Sequence, residues 1–394
     1  MKQIPVNRLQ ADSMYTKPVY IEEDKLLVPA RIAIRKKDIE RLIAWGIETV
    51  QTEGEITAPG DDREEETAHP PKTGSLKGVQ LSTLVSRPDT PENEGTYRLY
   101  IGLIDELNDV FNVIAAGNRV NVHIIDGIID RLIQVIREQR GRMVSYILGR
   151  EIIGRDFAKI AVNTAILSYL ISVEFKIPSQ RLLQIVTGAL LHDVGMLRLP
   201  REVLDKRGGL SEAELRQMQT HPPASYKIVC KELLYAQGVG LVVLQHHEHW
   251  DGTGYPQRLA GANIDEGARI VSVADAFEAM VNEKPYRNSM IGYQAMKNLL
   301  ADNSRCFDPN VLKSFIKTMG IYPIGSFILL NNGAIARITE VRTETPLRPK
   351  IGLLVDESGK VYSRNEEKPI DLVTERNLFI VRALDPKDFV KKHE

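Results

Sequence analysis

The feature that most constrains the fold is a change in the period of the apolar residues along the chain. From about residue 97 to 320 they recur every three or four positions, and past 320 they fall into short alternating runs. Tyr100, Leu103, Ile104, Leu107, Val110 and Phe111 make one helical set, and Ile124, Ile128, Leu132, Val135 and Ile136 make another. The runs SFILLNNG, GAIARITEV, KIGLLVD, GKVYS and NLFIVRAL alternate as half-buried strands do, with Asn331-Asn332-Gly333 and Glu357-Ser358-Gly359 as turns. A helical period does not suit a strand, nor an alternating one a helix. The pattern therefore predicts an all-helical domain over 97–320 and a small antiparallel β domain over 321–394.

Upstream, residues 1–55 mix strand-like runs (Ile4–Leu9, Pro18–Ile21, Ile47–Gln51) with a helix-like stretch, Lys36–Trp45. That mixture predicts a small α+β module. Residues 56–96 are acidic, rich in Pro and Gly and poor in large apolar side chains, so burial cannot offset their ordering entropy and a flexible linker is expected. The fold class is thus multidomain and mainly α. Within the helical region, Ser211 followed by Glu214 makes a capping box for a helix over 212–219, with Gly208 and Gly209 breaking the chain just before it.

Charge narrows the partners. Lys plus Arg (51) nearly cancels Asp plus Glu (52), so no global field draws the chain to polymeric nucleic acid or to an anionic membrane, and any phosphate recognition must be local. The two cysteines, Cys230 and Cys306, form no CxxC pattern, which fits a reducing compartment. The start MKQIPVNRLQ has no apolar signal core, and no run approaches the roughly 20 apolar residues of a membrane span. A cytoplasmic protein without a membrane span is expected.

Five of the eight histidines lie between 192 and 249, at predicted helix ends beside aspartates. The apolar face Leu182, Leu183, Ile185, Val186, Ala189 and Leu190 ends in Leu191-His192-Asp193-Val194-Gly195. Adjacent His and Asp at a buried helix end can reach one metal, or the carboxylate can bridge two. His221-Pro222 opens another helix, with proline suited to its first turn. The apolar run Val239–Leu244 leads into Gln245-His246-His247-Glu248-His249-Trp250-Asp251-Gly252-Thr253-Gly254-Tyr255-Pro256. Asp275 stands among Ile270, Val273, Ala274, Phe277 and Met280 on a core-facing helix, and a buried carboxylate there must be paired or metal-bound. His123 and His249, by contrast, suit ordinary caps or core positions, and His69 suits a solvent-exposed place in the linker.

Together HD at 192–193, HP at 221, HHExxDGxGYP at 246–256 and ARIVSVADAF at 268–277 resemble the HD-GYP family, the HD-domain metal phosphohydrolases that cleave cyclic di-GMP. The likeness covers roughly 150–320 in the family's order, and the tail FDPNVLKSFIKTMGIYPIGSFILL resembles the family as well. The resemblance implies two divalent transition-metal ions, iron or manganese foremost and zinc as a further choice. His192 and Asp193 would hold the first, with Asp193 bridging and Asp275 joining them. His221, His246 and His247 would hold the second. His192 and Asp193 would also be the catalytic pair. The resemblance further implies that Lys284 and Arg287 bind the ligand's phosphates and that Gly254 and Tyr255 shape the guanine-nucleotide site.

Two departures from the family pattern stand out. Ile160 occupies the place of a histidine expected 32 residues before the HD pair, and Asp156, one helical turn earlier, is the residue that could substitute as a ligand. Met196 replaces the lysine of HDxGK, and a thioether can neither donate a proton nor supply charge. Two functions from different classes follow. One is a cyclic di-GMP phosphodiesterase of reduced activity, giving linear pGpG or GMP. The other is a catalytically silent receptor that binds the nucleotide and signals to a protein partner through the N-terminal module or the β tail. A homodimer is compatible with either.

Overall fold

A computed structural model of the chain describes residues 2–57 with short gaps, 91–148, 156–282 except 205 and 207, 292–301, and 305–384 except 343, 344, 346 and 363–367. It divides into two units, Met1–Lys72 and Thr73–Glu394.

In the first unit the strands are β1 (Lys2–Pro5), β2 (Met14–Tyr15), β3 (Val19–Tyr20), β4 (Leu26–Val28), β5 (Thr49–Thr52) and β6 (Ile56–Thr57). Four form an antiparallel sheet in the order β1-β5-β3-β4, and β2 pairs with β6. Val19, Ile34, Leu42 and Val50 sit at the centre of its small core. The run Ile4–Leu9 does not continue as a strand: it stops at Pro5, and Val6–Arg8 turn as a 3-10 helix that buries Val6. The strand read over Ile47–Gln51 is shifted to Thr49–Thr52. Most of Lys36–Trp45, and the linker from 58 to 90, lie outside the described residues.

The second unit begins with α1 (Pro91–Ala115), which starts within the segment read as linker, followed by α2 (Val122–Leu148), α3 (Asp156–Glu174) and α4 (Ser179–Leu191). Next come the short helices α5 (Arg201–Leu204), α6 (Glu212–Met218) and α7 (His221–Lys227), then α8 (Gln237–Gln245), α9 (Glu266–Val281), α10 (Gly292–Leu300) and α11 (Pro309–Met319). The apolar stripe of α1 is wholly buried. On α2 the stripe begins one residue later than read: Ile125 is fully buried, whereas Ile124 is 45% exposed. Leu183 likewise faces outward on α4. The Ser211 capping box caps α6 as expected, with Ser211 Oγ accepting from the Glu214 amide and the Glu214 carboxylate accepting from the Ser211 amide.

Helix α3 is the axis of the bundle and packs against α1, α2, α4, α9 and α11. It corrects one expectation: Phe157–Glu174 is long and apolar enough to cross a membrane by length and composition. Some 78% of that stretch is buried, because a central bundle helix is covered by its neighbours on every side.

Strands β7 (Phe327–Leu330), β8 (Ile335–Glu340), β9 (Lys350–Val355), β10 (Lys368–Asp371) and β11 (Ile380–Leu384) form an antiparallel sheet in the order β10-β9-β8-β7-β11. Gly333 (φ 86°) and Gly359 (φ 87°) hold the left-handed conformations of the two expected turns. Among the described residues GKVYS contributes an isolated bridge, Val361 to Val355, while β10, which contains Pro369, carries no alternating apolar signal in the sequence. The fold class is the one read from the sequence: mainly α, with a small N-terminal sheet module and a C-terminal antiparallel sheet.

Candidate metal centre

Four segments meet at one point. His192 caps the C-terminus of α4, and Asp193 leads into a 3-10 turn, Val194–Arg198. His221 opens α7, His246 and His247 follow the last residue of α8, and Asp275 lies in α9. Glycines permit this approach. A Cβ on Gly195 would lie 2.3 Å from the His221 carbonyl oxygen and 2.6 Å from the Ser225 nitrogen, so α7 could not close on the HD turn with any other residue there. The Gly195 amide instead donates to Ser225 Oγ at 2.8 Å. Gly188 and Gly267 similarly let α4 and α9 close on Val242 of α8.

Three of the imidazoles are oriented the same way. Nδ1 of His192, His221 and His246 lies 2.7, 2.8 and 2.9 Å from the carbonyl oxygens of Ala189, Met218 and Val243, each three residues earlier. A carbonyl only accepts, so each Nδ1 carries a proton, and in the neutral imidazole each Nε2 presents its lone pair. Those lone pairs converge. His221 Nε2 is 3.4 Å from His246 Nε2, and Asp193 Oδ1 is 3.1 Å from the first and 3.6 Å from the second. His192 Nε2 lies 3.5 Å from Asp193 Oδ2 and 3.6 Å from Asp275 Oδ1. One ligand atom each from Asp193, His221, His246 and His247 falls within 4.8 Å of the others.

An acceptor facing an acceptor is unfavourable in a low-dielectric interior unless a cation or an added proton lies between them. His192 Nε2 and Asp193 Oδ1 are buried and have no hydrogen-bond partner among the described residues. Three nitrogens locked by backbone carbonyls, with carboxylates alongside, have the chemistry of a donor set and outer support that can hold a divalent metal ion. The residues present fit such an ion.

The local charges work in the same sense. Burial opposes protonation of His192, yet Asp193 and Asp275 beside it outweigh burial and hold it well above its ordinary value. Burial would raise Asp275, but His192 brings it down to about 2, and His192 and His221 likewise hold Asp193 well below the carboxylate range. Burial lowers His247 far below the imidazole value, helped by His246 and His221, and burial lowers His246 too. Asp275 is less enclosed than the sequence implied, its side chain keeping 19% of its exposure.

The glycine-tyrosine-proline loop is built onto the same histidines. Gly254 packs where a Cβ would meet the His249 nitrogen at 2.2 Å and the His247 carbonyl at 2.5 Å, and the Tyr255 amide donates to that carbonyl at 3.1 Å. The Tyr255 ring stacks on His247 with centroids 4.8 Å apart. Glu248, 2% exposed, accepts from the amides of Gln257 (2.6 Å) and Leu259 (2.9 Å) and so anchors the far side of the loop. Sequence reasoning passed over Glu248, Gly195 and Ser225. The signals available were an acid next to two histidines with no basic partner, and a glycine two residues past the HD pair.

The structure therefore brings together His192, Asp193, His221, His246, His247 and Asp275, with Gly254 and Tyr255 beside them. Asp156 is the first residue of α3, but its side chain, like Lys284 and Arg287, lies outside the described residues. Ile160 is half-buried on α3, and Met196 is half-buried one turn past Asp193, its amide donating to the Asp193 carbonyl at 2.8 Å. His249 bonds Thr253 Oγ1 at 3.0 Å and serves the loop, while His123 is 92% exposed and caps no core.

Residues 151–311 match the HD domain family. This chain carries an HD domain. The resemblance to HD-GYP proteins read from the motifs holds, and residues 327–392 match the KOW domain associated with HD domains. Among curated proteins, the chain is 31% identical over 228 residues to the cyclic di-GMP phosphodiesterase PdeB of Borreliella burgdorferi, covering 58% of this chain and 60% of that one. It is 30% identical over 188 residues to the cyclic di-GMP phosphodiesterase PA4108 of Pseudomonas aeruginosa, covering 48% and 45%. A 3'3'-cGAMP-specific phosphodiesterase 3 of Vibrio cholerae is 35% identical over 136 residues, covering 34% and 29%. The chain spans 60% or less of the length of each of these relatives.

Proposed function

We propose that the chain is a metal-dependent cyclic di-GMP phosphodiesterase with reduced activity. The observation that carries this reading is the convergence of the Nε2 lone pairs of three backbone-locked histidines on Asp193. His221, His246 and His247 with Asp193 would hold one ion, and His192, Asp193 and Asp275 a second, with Asp193 shared. Bound divalent ions would supply positive charge for the phosphate oxygens and make a water acidic enough to act as nucleophile. Mixed imidazole and carboxylate donors suit iron or manganese, with zinc as a further choice.

The chain's own residues supply orientation and exclusion. The Nδ1 ties keep each imidazole from turning, and Tyr255 covers one face of His247, shielding it from bulk water. Hydrolysis joins the water oxygen to phosphorus, breaks the bond to the 3'-oxygen and delivers a proton to that oxygen, leaving linear pGpG; a second cleavage gives GMP. Met196 stands where a lysine would support that departure and cannot do so, which is the reason to expect a slow enzyme. Lys284, Arg287 and Gly254 complete the proposed ligand site, and Asp156 the proposed first-metal site. Under this reading the protein works in the cytoplasm, and residues 1–55 are the contact for a protein partner or for a second copy.

Met196 and Ile160 favour one alternative, a receptor that binds cyclic di-GMP without cleaving it. Incubating the purified chain with cyclic di-GMP and added Mn, Fe or Zn, and following pGpG and GMP by chromatography, separates the two. Metal-dependent product supports the enzyme. Tight nucleotide binding with no product under any ion supports the receptor.

A further inference from the structure

A chain of buried polar side chains joins α1 and α3 to α9, the helix that carries Asp275. Tyr100 of α1 is fully buried, and its hydroxyl donates to Asn163 Oδ1 on α3 at 2.6 Å. Asn163 Nδ2 donates in turn to Glu278 Oε1 on α9 at 3.0 Å. Asn163 is 1% and Glu278 0% exposed, so a carboxylate has been taken wholly out of water. Apolar side chains of similar volume would hold three helices together at least as well, so packing alone does not account for this arrangement.

Its position does. Asn163 lies three residues after Ile160, where the family resemblance expects a histidine, and Glu278 lies three residues after Asp275, one helical turn from a residue of the centre. Because Ile160 supplies no ligand atom, Asp275 depends on how α9 is held, and two buried hydrogen bonds tie α9 to α3: Asn163 to Glu278, one turn from Asp275, and Lys159 Nζ to Asn282 Oδ1 at 2.9 Å at the C-terminal end of α9. The Tyr100 ring is itself fixed, stacked on Tyr146 of α2 with centroids 5.4 Å apart. Burial, with Glu278 nearby, pushes the Tyr100 hydroxyl far up from its ordinary value, so it remains a donor throughout the physiological range. Without that hydroxyl, Asn163 Oδ1 would lose its partner in a dry interior and the amide would be free to turn away from Glu278.

We propose that Tyr100, Asn163 and Glu278 are a positioning network that fixes Asp275, so that metal affinity depends on a tyrosine hydroxyl that never touches the ion. The inference rests on the metal-centre reading. It makes α1 a handle on the site, since any displacement of α1 moves the hydroxyl on which the other two residues depend.

The test is metal affinity, measured by competition with a chromophoric chelator for Mn, Fe and Zn on the full chain, well below its unfolding temperature. Tyr100→Phe keeps the ring and its stacking and is expected to weaken binding about 10- to 100-fold, the usual effect of losing an outer support of a metal site. Glu278→Gln, which keeps an acceptor for Asn163, should weaken it less than Tyr100→Phe does. Ile129→Val trims the core on α2 without touching the network and should leave affinity unchanged. Wild-type affinity in Tyr100→Phe overturns the inference, as does an equal loss in Ile129→Val, which would mark general softening. A wild-type chain that binds none of the three metals overturns the metal-centre reading itself, and the inference with it.

Discussion

The two ends of the centre are built differently. One gathers His221, His246 and His247 around Asp193, with ligand atoms within 4.8 Å of one another and two of the imidazoles tied to carbonyls of their own chain segments. The other has a single imidazole, His192, between Asp193 and Asp275, and an isoleucine on the neighbouring helix. A site rich in locked imidazoles is pre-organised before any ion arrives, whereas one that relies on carboxylates from separate helices depends on how those helices are held. The histidine-rich end should bind first and hold tightest, and the other should set the rate.

The sharpest way to probe that difference is to repair the poorer end. Ile160→His with Met196→Lys is expected to raise turnover of cyclic di-GMP by roughly 10² to 10³, the scale of one restored electrostatic stabiliser. An unchanged rate in a folded double variant would show that the missing groups are not what limits the chain. Damage to the richer end comes next: His246→Ala should lower metal affinity by more than about 100-fold, beyond the 10- to 100-fold usual for an outer support. Elemental analysis after dialysis reads this directly, and wild-type metal content would break the assignment.

Gly195→Ala tests the approach of α7 to the HD turn. Its methyl would press on the His221 carbonyl and Ser225, and a destabilisation of about 1–3 kcal/mol is expected in chemical denaturation, together with reduced metal content. Smallest of all, Ser211→Ala removes the cap of α6, a helix that carries none of the proposed ligands, and should cost about 1 kcal/mol while leaving metal content unchanged. A loss of metal there would mean that the centre reports global stability rather than its own geometry.

Much of this was legible in the sequence, and the reasons are physical. The helical and alternating periods located the bundle and the C-terminal sheet because one-sided burial imposes them, and the capping box marked the start of α6 because its two hydrogen bonds are local. The polar residues of the centre stood out because five of them cluster at helix ends in one order, and Asp275 because a carboxylate on a core-facing helix must be paired. Less legible were features that depend on tertiary approach. Nothing in the local pattern near Ile124 or Leu183 says which side of the helix another element will cover. Pro369 hid β10, since proline is uncommon in strands and sits here on a sheet edge. The meaning of Gly195 emerged only once His221 was seen against it, and the chain from Tyr100 to Glu278 joins residues far apart in sequence.

The central claim is that the converging lone pairs of this centre are there to hold divalent metal. Equilibrating the purified chain with Mn, Fe and Zn in turn, removing free ion and measuring bound metal per chain tests it most directly. The account predicts at least one tightly held transition-metal ion per chain, lost in His246→Ala. A wild-type chain that retains none of the three above background would contradict it.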